Sequence, residues 1–433
     1  MIKINKEAKF AMLFFVLMLG FISIFAQNES ISLSAALEKA LENNYGIIIS
    51  KSNVEVAKIN NSWGTAGRYP TIGFTASSNN SEELIDKSSS NRLNGGIGLN
   101  WTLFNGFRVN ITKGKLEKLE QLAKGRTAVV VENTIQDVIM SYYNILLQKE
   151  RLEVLNKVMI LSKDRYDYEQ KKHDLGSSVT YNVLLAKNIY LDDKASYLNQ
   201  EVVVKNTIRN FNFLLGEQPT VKWKFTEEFN SDTVEYVLGD LMDKMMVNNQ
   251  TLQNQYINLM LQQDEIKYQR GSLYPRVSLA AGIDNSYSWI TTEVQGGTYN
   301  EDLTPYGNLT LSYDIFTAGN RKSAIDVAKI NEQITQIELE EIKHGLTNQL
   351  YNEFEAYNLR IELVNVANES LEAAEMNLQI AEEKFRSGAI NSFNYRDIQL
   401  NYLNSAINQL HSIYNLIYSN TNLTRLTGGF LSE

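Results

Sequence analysis

The sequence predicts a mainly α-helical fold with a smaller β part, in which very long helical hairpins follow short pairs of strands. Two observations support this fold class. One order of strand-like, helix-like and turn-like signals occurs twice, about 212 residues apart. In addition, long stretches of each copy contain no proline and little glycine, as long helices require. The shared offset therefore indicates two copies of one structural unit.

The repeated signals also define the boundaries of the two copies. They predict a first repeat at 27–218, a linker at 219–232 and a second repeat at 233–433. Trp223 and Phe225 of the linker are large apolar side chains, which we expect to pack against the helices. The paired segments are Tyr69-Pro70 with Tyr274-Pro275, Gly176 with Gly388, and Leu215-Gly216 with Thr427-Gly428.

The first 26 residues have the features of a secretory signal peptide. Three lysines precede an apolar stretch from Phe10 to Phe25, and the small residue Ala26 follows. This stretch is short for a membrane-spanning helix, and polar residues follow it at once, so a signal peptide is favoured over a membrane anchor. We therefore expect residues 1–26 to be removed during export.

Proline placement predicts where the long helices lie. The chain has only four prolines, and all of them fall near predicted boundaries. Because proline costs about 3 kcal/mol or more inside a helix, the stretches between them can form uninterrupted helices. We predict helical hairpins at 107–215 and 318–427. The individual helices are predicted at 32–67, 107–174, 179–215, 233–270, 318–386 and 391–427.

Apolar spacing in the second hairpin indicates helices that pack along their length. Leu350, Phe354, Tyr357, Ile361 and Val364 alternate steps of four and three residues, the period of a coiled-coil seam. A helix of roughly 65 residues would be about 100 Å long, which is more than a globular core needs.

Four short strands alternate large apolar residues with small or polar ones. Ile97, Leu99 and Trp101 show this two-residue period of a sheet with one apolar face. Strands of outer-membrane barrels have the pattern, and so do ordinary soluble sandwiches. The polar segments Ser77–Asn91 and Asp284–Asp302 are predicted as loops that face the cell exterior. The strands are predicted near 69–80, 92–104, 273–288 and 305–316.

Composition excludes several classes of function. The formal net charge is −9, and removal of residues 1–26 makes it about −11, whereas nucleic-acid binding needs a basic surface. The absence of cysteine excludes disulfides, thiolate metal sites and cysteine nucleophiles. The three histidines are scattered without evident partners. We therefore predict no enzymatic activity, no cofactor and no metal site.

The route across a membrane is restricted as well. Beyond residues 1–26 the sequence contains no apolar run of eighteen residues. Any crossing would need strands closed into a barrel, which is the other way to satisfy backbone groups in lipid. Four strands are too few to enclose a useful bore, so the chain must oligomerise if its strands insert.

The repeated plan of short helix, strand pair and long hairpin resembles the outer-membrane efflux protein family, the TolC-like channel tunnels. This resemblance implies a homotrimer in which each chain contributes four strands to a shared 12-stranded outer-membrane β-barrel. The duplicated helical hairpins would form a periplasmic α-barrel. The segments that carry the resemblance are Leu33–Asn44, the Tyr-Pro strand starts, the turns after Gly176 and Gly388, and the closing Leu214-Leu215-Gly216 and Leu426-Thr427-Gly428.

The resemblance also implies a function and partners. Such proteins are exit ducts of tripartite efflux or type I secretion systems, located in the cell outer membrane and extending into the periplasm. They are passive conduits, driven by an inner-membrane pump through a periplasmic adaptor (a membrane fusion protein). The cargo could be a drug, a metal ion or a polypeptide, and no nucleic acid is expected as a partner. The alternative that stays open is a secreted coiled-coil scaffold or adhesin with a soluble β head.

The resemblance further implies acidic rings at a pore constriction, six and nine residues after the turn glycine of the second hairpin. Those positions hold Asn394 and Asp397, so Asp397 matches one ring and Asn394 departs from the other. Three converging carboxylates would repel one another and favour cations over anions. Asn182 is the gate position of the first hairpin. The alternative for Asp397 is a solvated charge near a helix N-terminus.

A latch and a docking surface are implied at the hairpin tips. The family's latch positions hold Phe385 and Ile390 here, and we conjecture that Arg386 or Arg396 takes their place. The adaptor would contact the turns, although these residues could equally be turn residues and nothing more. The docking candidates are Leu175, Gly176, Ser177, Ser387, Gly388 and Ala389.

Overall fold

The computed structural model describes residues 29–85, 88–230, 232–292 and 296–431. The predicted signal peptide at 1–26 lies outside these residues. None of the helices in the described ranges combines the length and the apolar character that crossing a bilayer would need.

The described elements follow the predicted order of short helices, strand pair and long hairpin, twice. The helices are α1 (Leu33–Asn43), α2 (Tyr45–Asn60), α3 (Arg108–Asp174), α4 (Thr180–Leu214), α5 (Leu238–Asn248), α6 (Gln250–Arg270), α7 (Asn320–Arg386) and α8 (Ser392–Leu426). The strands are β1 (Glu29–Ile31), β2 (Thr71–Glu83), β3 (Ser88–Phe104), β4 (Trp223–Phe225), β5 (Arg276–Thr292) and β6 (Gly296–Ser312).

The long helices occur in two pairs of equal length. Helices α3 and α7 each contain 67 residues, and α4 and α8 each contain 35. Their ends lie within two residues of the predicted ones. These equal lengths support the proposed division into two repeats at 27–218 and 233–433.

The prediction of continuous helices at 32–67 and 233–270 was wrong, because both segments break at an asparagine. The chain becomes extended at Asn44 and Asn249, where ψ is 126° and 115°. Each asparagine side chain instead donates to a carbonyl at the end of a long helix, Asn44 to Leu214 at 2.8 Å and Asn249 to Leu426 at 3.0 Å. Asparagine is a weak helix former, because its side chain can hydrogen-bond backbone groups outside the helix.

The predicted strand bounds also need correction. The strands near 69–80 and 92–104 extend to 71–83 and 88–104, and those near 273–288 and 305–316 become 276–292 and 296–312. Most of the residues predicted as exterior loops, Ser77–Asn91 and Asp284–Asp302, are therefore paired strand residues. Their polar side chains suggested loops, but a sheet accepts polar residues wherever a face contacts water.

The four long strands form one antiparallel sheet in the order β2-β3-β5-β6. Gly98 lies opposite both Gly73 and Gly282, and Gly282 lies opposite Tyr306. The two short strands form a separate parallel pair, in which Ile31 lies opposite Phe225. No periodicity could predict this pair, since each strand has only three residues.

Contacts divide the chain into two compact units. The first comprises residues up to Tyr45 with Asn133–Glu235 and Glu353–Asn422, and the second comprises Gly46–Glu132, Tyr236–Asn352 and the residues from Leu423. The four-stranded sheet belongs to the second unit, and both hairpin tips belong to the first.

Tyr142 lies at the centre of the first unit's core. It is fully buried, and its ring centroid is 5.1 Å from that of Phe225. The Tyr142 hydroxyl donates to Glu227 and accepts from the Thr226 N–H at 3.2 Å. Burial raises the pKa of Tyr142 to about 12. Because Trp223 is buried in the same cluster, the linker packs against the helices, as expected.

Ion pairs join α6 to α3 in the second unit. Lys118 contacts Asp264 and Lys115 contacts Glu265, both at 2.5 Å. Asp264 also accepts from Lys267 at 2.9 Å. Burial by itself would raise the pKa of Asp264, but the hydrogen bonds from the two lysines outweigh it and lower that pKa. The ionised carboxylate of Asp264 therefore stabilises the folded unit.

Candidate functional site

The two hairpin tips have the same backbone geometry. Gly176 and Gly388 adopt φ values of 75° and 79°, a left-handed conformation that glycine reaches without strain. In the first turn the Gly176 N–H donates to His173 and the Ser177 N–H donates to Lys172, both at 2.8 Å. The second turn repeats both bonds 212 residues later. These pairs form the Schellman motif that ends many helices.

The residues proposed for docking are all on the surface of the first unit. Leu175 is 84% exposed, which is a large fraction for an apolar side chain. Nothing lies within 4 Å of a side chain added at either turn glycine. The other docking candidates, Ser177, Ser387 and Ala389, are exposed as well.

The proposed constriction residues lie near the starts of α4 and α8. Asp397 and Asn394 are both exposed and lie three residues apart, on one side of α8. The Asp397 side chain is exposed to solvent. Asn182 is half-buried, and its amide donates to the Ser178 hydroxyl at 3.4 Å. The backbone N–H of Asn394 donates to Asn391, which caps α8.

The two arginines conjectured as latch residues behave differently. Arg386 pairs with Glu382 of its own helix at 2.6 Å. Arg396, on α8, instead reaches Asp193 on α4 with two bonds of 2.7 Å and 2.8 Å. The side chains of Arg396 and Asp193 are only 17% and 10% exposed. The bond therefore joins the second hairpin to the first, in a partly desolvated site where it is stronger than on the surface.

Sequence reasoning missed two further buried charges beside this pair. Arg165 and Glu169, one turn apart on α3, are 2% and 4% exposed. Glu169 accepts from the Ser178 hydroxyl at 2.8 Å. Burial and repulsion from Arg396 lower the pKa of Arg165, while Glu169 and Asp193 oppose that shift. A comparison of the repeats could have found both residues, because the equivalent positions hold the neutral Asn377 and Ala381.

The register of the sheet separates two faces. Ile72 lies opposite Leu99, and Phe74 lies opposite Ile97, so the large apolar side chains share one face. The residues that define this apolar face are Ile72, Phe74, Leu93, Ile97, Leu99, Trp101, Leu279, Ile283, Tyr287, Trp289, Tyr299, Leu303, Leu309 and Leu311. The opposite, polar face is defined by Gly98, Asn100, Thr102, Ser278, Gly282, Asp284, Ser286, Asp302, Thr304, Tyr306, Asn308 and Thr310.

Aromatic side chains occur toward both ends of the apolar face. Near the β5–β6 turn, the ring centroids of Trp289 and Tyr299 are 5.6 Å apart, with Tyr287 beside them. Near the other end, the Trp101 indole donates to the Arg68 carbonyl at 2.8 Å. Trp101 lies opposite Leu279, ten residues before Trp289 along β5. At ~3.3 Å per residue, the two tryptophans are about 33 Å apart along the strand.

In the described part of the chain, no group of three or more His, Asp or Glu side chains is placed so that it could hold a metal ion.

Comparison with known proteins identifies the family. The sequence model described as outer membrane efflux protein matches residues 36–217 and 241–429. The chain therefore belongs to the outer membrane efflux protein family, and it is an outer-membrane efflux duct. This membership decides against the secreted scaffold or adhesin with a soluble β head.

Individual relatives are distant but span most of the chain. Cation efflux system protein CusC of Escherichia coli (strain K12) is 20% identical over 387 residues, which are 88% of this chain and 82% of the relative. The antibiotic efflux pump outer membrane protein ArpC of Pseudomonas putida is 18% identical over 379 residues, which are 85% of this chain and 77% of the relative. The proteins to which the chain is similar are thus efflux components.

Solved structures show the same fold. A crystal structure of CusC superposes with a TM-score of 0.76 at 17% identity, covering 92% of both chains. The Campylobacter jejuni CmeC outer membrane channel superposes with a TM-score of 0.75 at 16% identity, covering 92% of this chain and 85% of that one. The mainly helical fold with a β part is therefore that of outer-membrane channels.

Proposed function

We propose that this protein is the passive exit duct of a tripartite efflux assembly, with an inner-membrane pump and a periplasmic adaptor as partners. Three copies would each contribute the four-stranded sheet to one closed twelve-stranded wall in the outer membrane, and the long hairpins would lie in the periplasm. The observation that carries this proposal is the two-faced sheet, since a largely apolar face suits contact with lipid.

The dimensions of the apolar face support insertion. Trp101 and Trp289 lie about 33 Å apart along the strand direction. Strands that are tilted by about 45° would place the two aromatic groups about 23 Å apart across the membrane, close to the ~25 Å apolar band of such proteins. Tryptophan and tyrosine favour the membrane interfaces, where one part of the ring is wet.

The edges of the sheet support oligomerisation. Strands β2 and β6 are the two outermost strands of the sheet order β2-β3-β5-β6. Lipid offers no hydrogen-bond partners, so unpaired strand edges cannot persist in it. A second copy could pair its β6 with β2 of the first, and a third copy could close the ring. We infer a homotrimer, in agreement with the expectation from the sequence.

The contact between Arg396 and Asp193 supports a gate at the hairpin tips. We infer that this ion pair holds the second hairpin against the first, and that its loss lets the tips separate. Exposed Asp397 and its neighbour Asn394 would line the constriction, with Asn182 at the matching place in the first hairpin. The exposed Leu175 and the turn residues around Gly176 and Gly388 would contact the adaptor.

The cargo is proposed from the relatives. Their printed names refer to cation, antibiotic and toluene efflux, so the relatives serve pumps of different chemistry. We propose small solutes as the cargo, drugs or metal ions, rather than secreted polypeptides. The pump would make the choice, since a passive duct contributes no energy and no chemistry.

Conduction across a planar bilayer tests the duct itself. We expect the purified mature protein to insert as a heat-modifiable trimer and to conduct ions. A water-soluble monomer that never conducts would contradict the proposal.

Ion selectivity tests the constriction. Asp397→Asn should lower the preference for cations over anions, because it removes the carboxylates that converge near the axis. The matched control is Glu383→Gln, an exposed carboxylate near the end of α7 that is not among the proposed constriction residues. Equal effects of the two substitutions would exclude Asp397 from the constriction.

A further inference from the structure

Arg165 is buried without the hydrogen bonds that its guanidinium needs. It is 2% exposed, and neither Nε nor Nη1 has a hydrogen-bond partner among the described residues. Buried polar groups are nearly always paired, so an unpaired arginine needs an explanation. In a protein that must change conformation, one explanation is that the missing partner becomes available in another state.

The carboxylate beside Arg165 already has a different partner. Asp193 accepts both of its close hydrogen bonds from Arg396, while it also attracts Arg165 electrostatically. Asp193 therefore attracts two arginines electrostatically, and of the two only Arg396 is hydrogen-bonded to it. Glu169, one turn along α3, also attracts Arg165, and it accepts a bond from Ser178.

Arg165, Asp193 and Arg396 lie on three different helices, so the two possible bonds of Asp193 connect different parts of the tip. Arg165 on α3 and Asp193 on α4 belong to the first hairpin, and Arg396 on α8 belongs to the second. A bond from Asp193 to Arg396 joins the two hairpins. A bond from Asp193 to Arg165 would lie within the first hairpin alone.

We propose that Arg165 is the second partner of Asp193 and takes over this carboxylate when Arg396 withdraws. The inference rests on the proposed gate and deepens it, because it names a positioning residue for the open tip. The exchange would keep Asp193 paired while the tip opens. If Arg396 simply left, Asp193 would stay buried without a partner, and opening would be strongly disfavoured. With Arg165 available, the charge stays compensated while the second hairpin moves.

Two neighbouring features agree with a conformation in which buried polar groups are not fully hydrogen-bonded. Gln399 lies one turn beyond Arg396 on α8 and is fully buried, with no close hydrogen bond to its amide and only a weaker interaction with Tyr395 among the described residues. A cleft of about 540 Å³ borders Arg165, Phe385 and Tyr395, which leaves space for side chains to rearrange. Both features fit a cluster that can change its bonds.

The test compares the two arginines, since they should act in opposite directions. In planar bilayers, Arg396→Leu should raise the open probability of the purified trimer roughly tenfold, because it removes the charge-assisted contact with Asp193. Arg165→Leu should lower the open probability, and it should cancel the increase when combined with Arg396→Leu. The control is Arg151→Leu, because Arg151 is also on α3 with a buried, unpaired Nε but lies outside this cluster.

A second measurement follows the tips without conduction. The chain has no native cysteine, so spin labels at Leu175→Cys and Ser387→Cys can report the distance between the hairpins. Arg396→Leu should shift the distribution to longer distances, and Arg165→Leu should shift it back. If Arg165→Leu does not assemble, Arg165→Lys keeps the charge with fewer donors and should give a smaller shift in the same direction.

The outcomes separate the inference from the proposed function. If both arginine substitutions increase opening, Arg165 only stabilises the tip, and the exchange is overturned. No effect of Arg165→Leu or Arg165→Lys on either measurement also overturns it, while the gate at Arg396 stands. If the unaltered protein never conducts, the duct itself fails, whatever the spin labels report.

Discussion

The two hairpin tips share a backbone and differ in their buried charges. Both turns use a left-handed glycine and the same pair of hydrogen bonds. The first hairpin, however, buries Arg165, Glu169 and Asp193, whereas the equivalent positions of the second hold Asn377, Ala381 and Ser405. The two tips thus share one backbone conformation and differ in their buried side chains. One contains a charged cluster, and the other supplies Arg396, which bonds Asp193 of that cluster.

This difference shows that two copies of one unit can keep the same turn and still bury different side chains. The turn depends on local sequence, so both copies keep it. A buried charge is costly unless it has a partner, so its position depends on what packs against it. The first hairpin can bury its charges because Arg396 of the second hairpin compensates Asp193.

The largest expected difference between the copies lies in their cores. Tyr142→Ala should destabilise the protein by about 3–5 kcal/mol, because it empties a fully buried site and leaves Glu227 without the hydroxyl bond. Phe354→Ala at the equivalent position should cost about half as much, since Phe354 is only half-buried. Denaturant unfolding in detergent, followed by circular dichroism, would measure both. Equal losses would show that the linker adds nothing to the first core.

A second difference depends on pH. Glu132 is 5% exposed, and burial raises its pKa to about 7, although Arg425 opposes the shift. A carboxyl pKa that is higher in the folded state gives stability that is fully present below about pH 4 and lost as pH rises through 7. Glu132→Gln should therefore stabilise the protein at pH 8 by about 3 kcal/mol and have little effect at pH 4.

The second copy provides the control for this pH effect. The position equivalent to Glu132 holds His344, which is exposed. His344→Gln should change the unfolding free energy little, because the side chain is exposed. A pH-independent effect of Glu132→Gln would mean that the carboxyl has the same pKa in the folded and unfolded protein.

The turn glycines should respond alike in the two copies. Gly176→Ala and Gly388→Ala place a Cβ on left-handed backbone, at a cost of about 1–2 kcal/mol each, although neither added carbon meets a neighbour. Hydrogen exchange of the turn amides would report the loss locally. A clear inequality would indicate that one turn is restrained by contacts beyond its own backbone.

The smallest expected effects are at the two helix breaks. Asn44→Ala and Asn249→Ala should each cost about 1 kcal/mol, because each removes a side-chain bond to the end of a long helix. Asn249 also caps α6 through the Leu252 N–H, which adds to the cost of its loss. Thermal unfolding of the single variants would rank them.

Much of the fold was predictable from the residues. Proline placement and apolar spacing gave the long helices to within two residues, because both act through local backbone geometry. The alternation of Ile97, Leu99 and Trp101 predicted a two-faced sheet. The same reasoning failed at Asn44 and Asn249, where a polar side chain bonds a distant carbonyl instead of continuing its helix. It also failed in the polar ends of the strands, where composition alone cannot distinguish a loop from the water-facing side of a sheet.

The sequence by itself determined the duplication, the long helices, the turn glycines and the alternating faces, since each of these depends on residues that are close along the chain. The tertiary structure decided which charges meet. Asp193 and Arg396 are 203 residues apart and share no local pattern, yet packing brings them to 2.7 Å. Partners at such separations are selected by the free energy of burying a charge, and that is defined only once the helices are assembled.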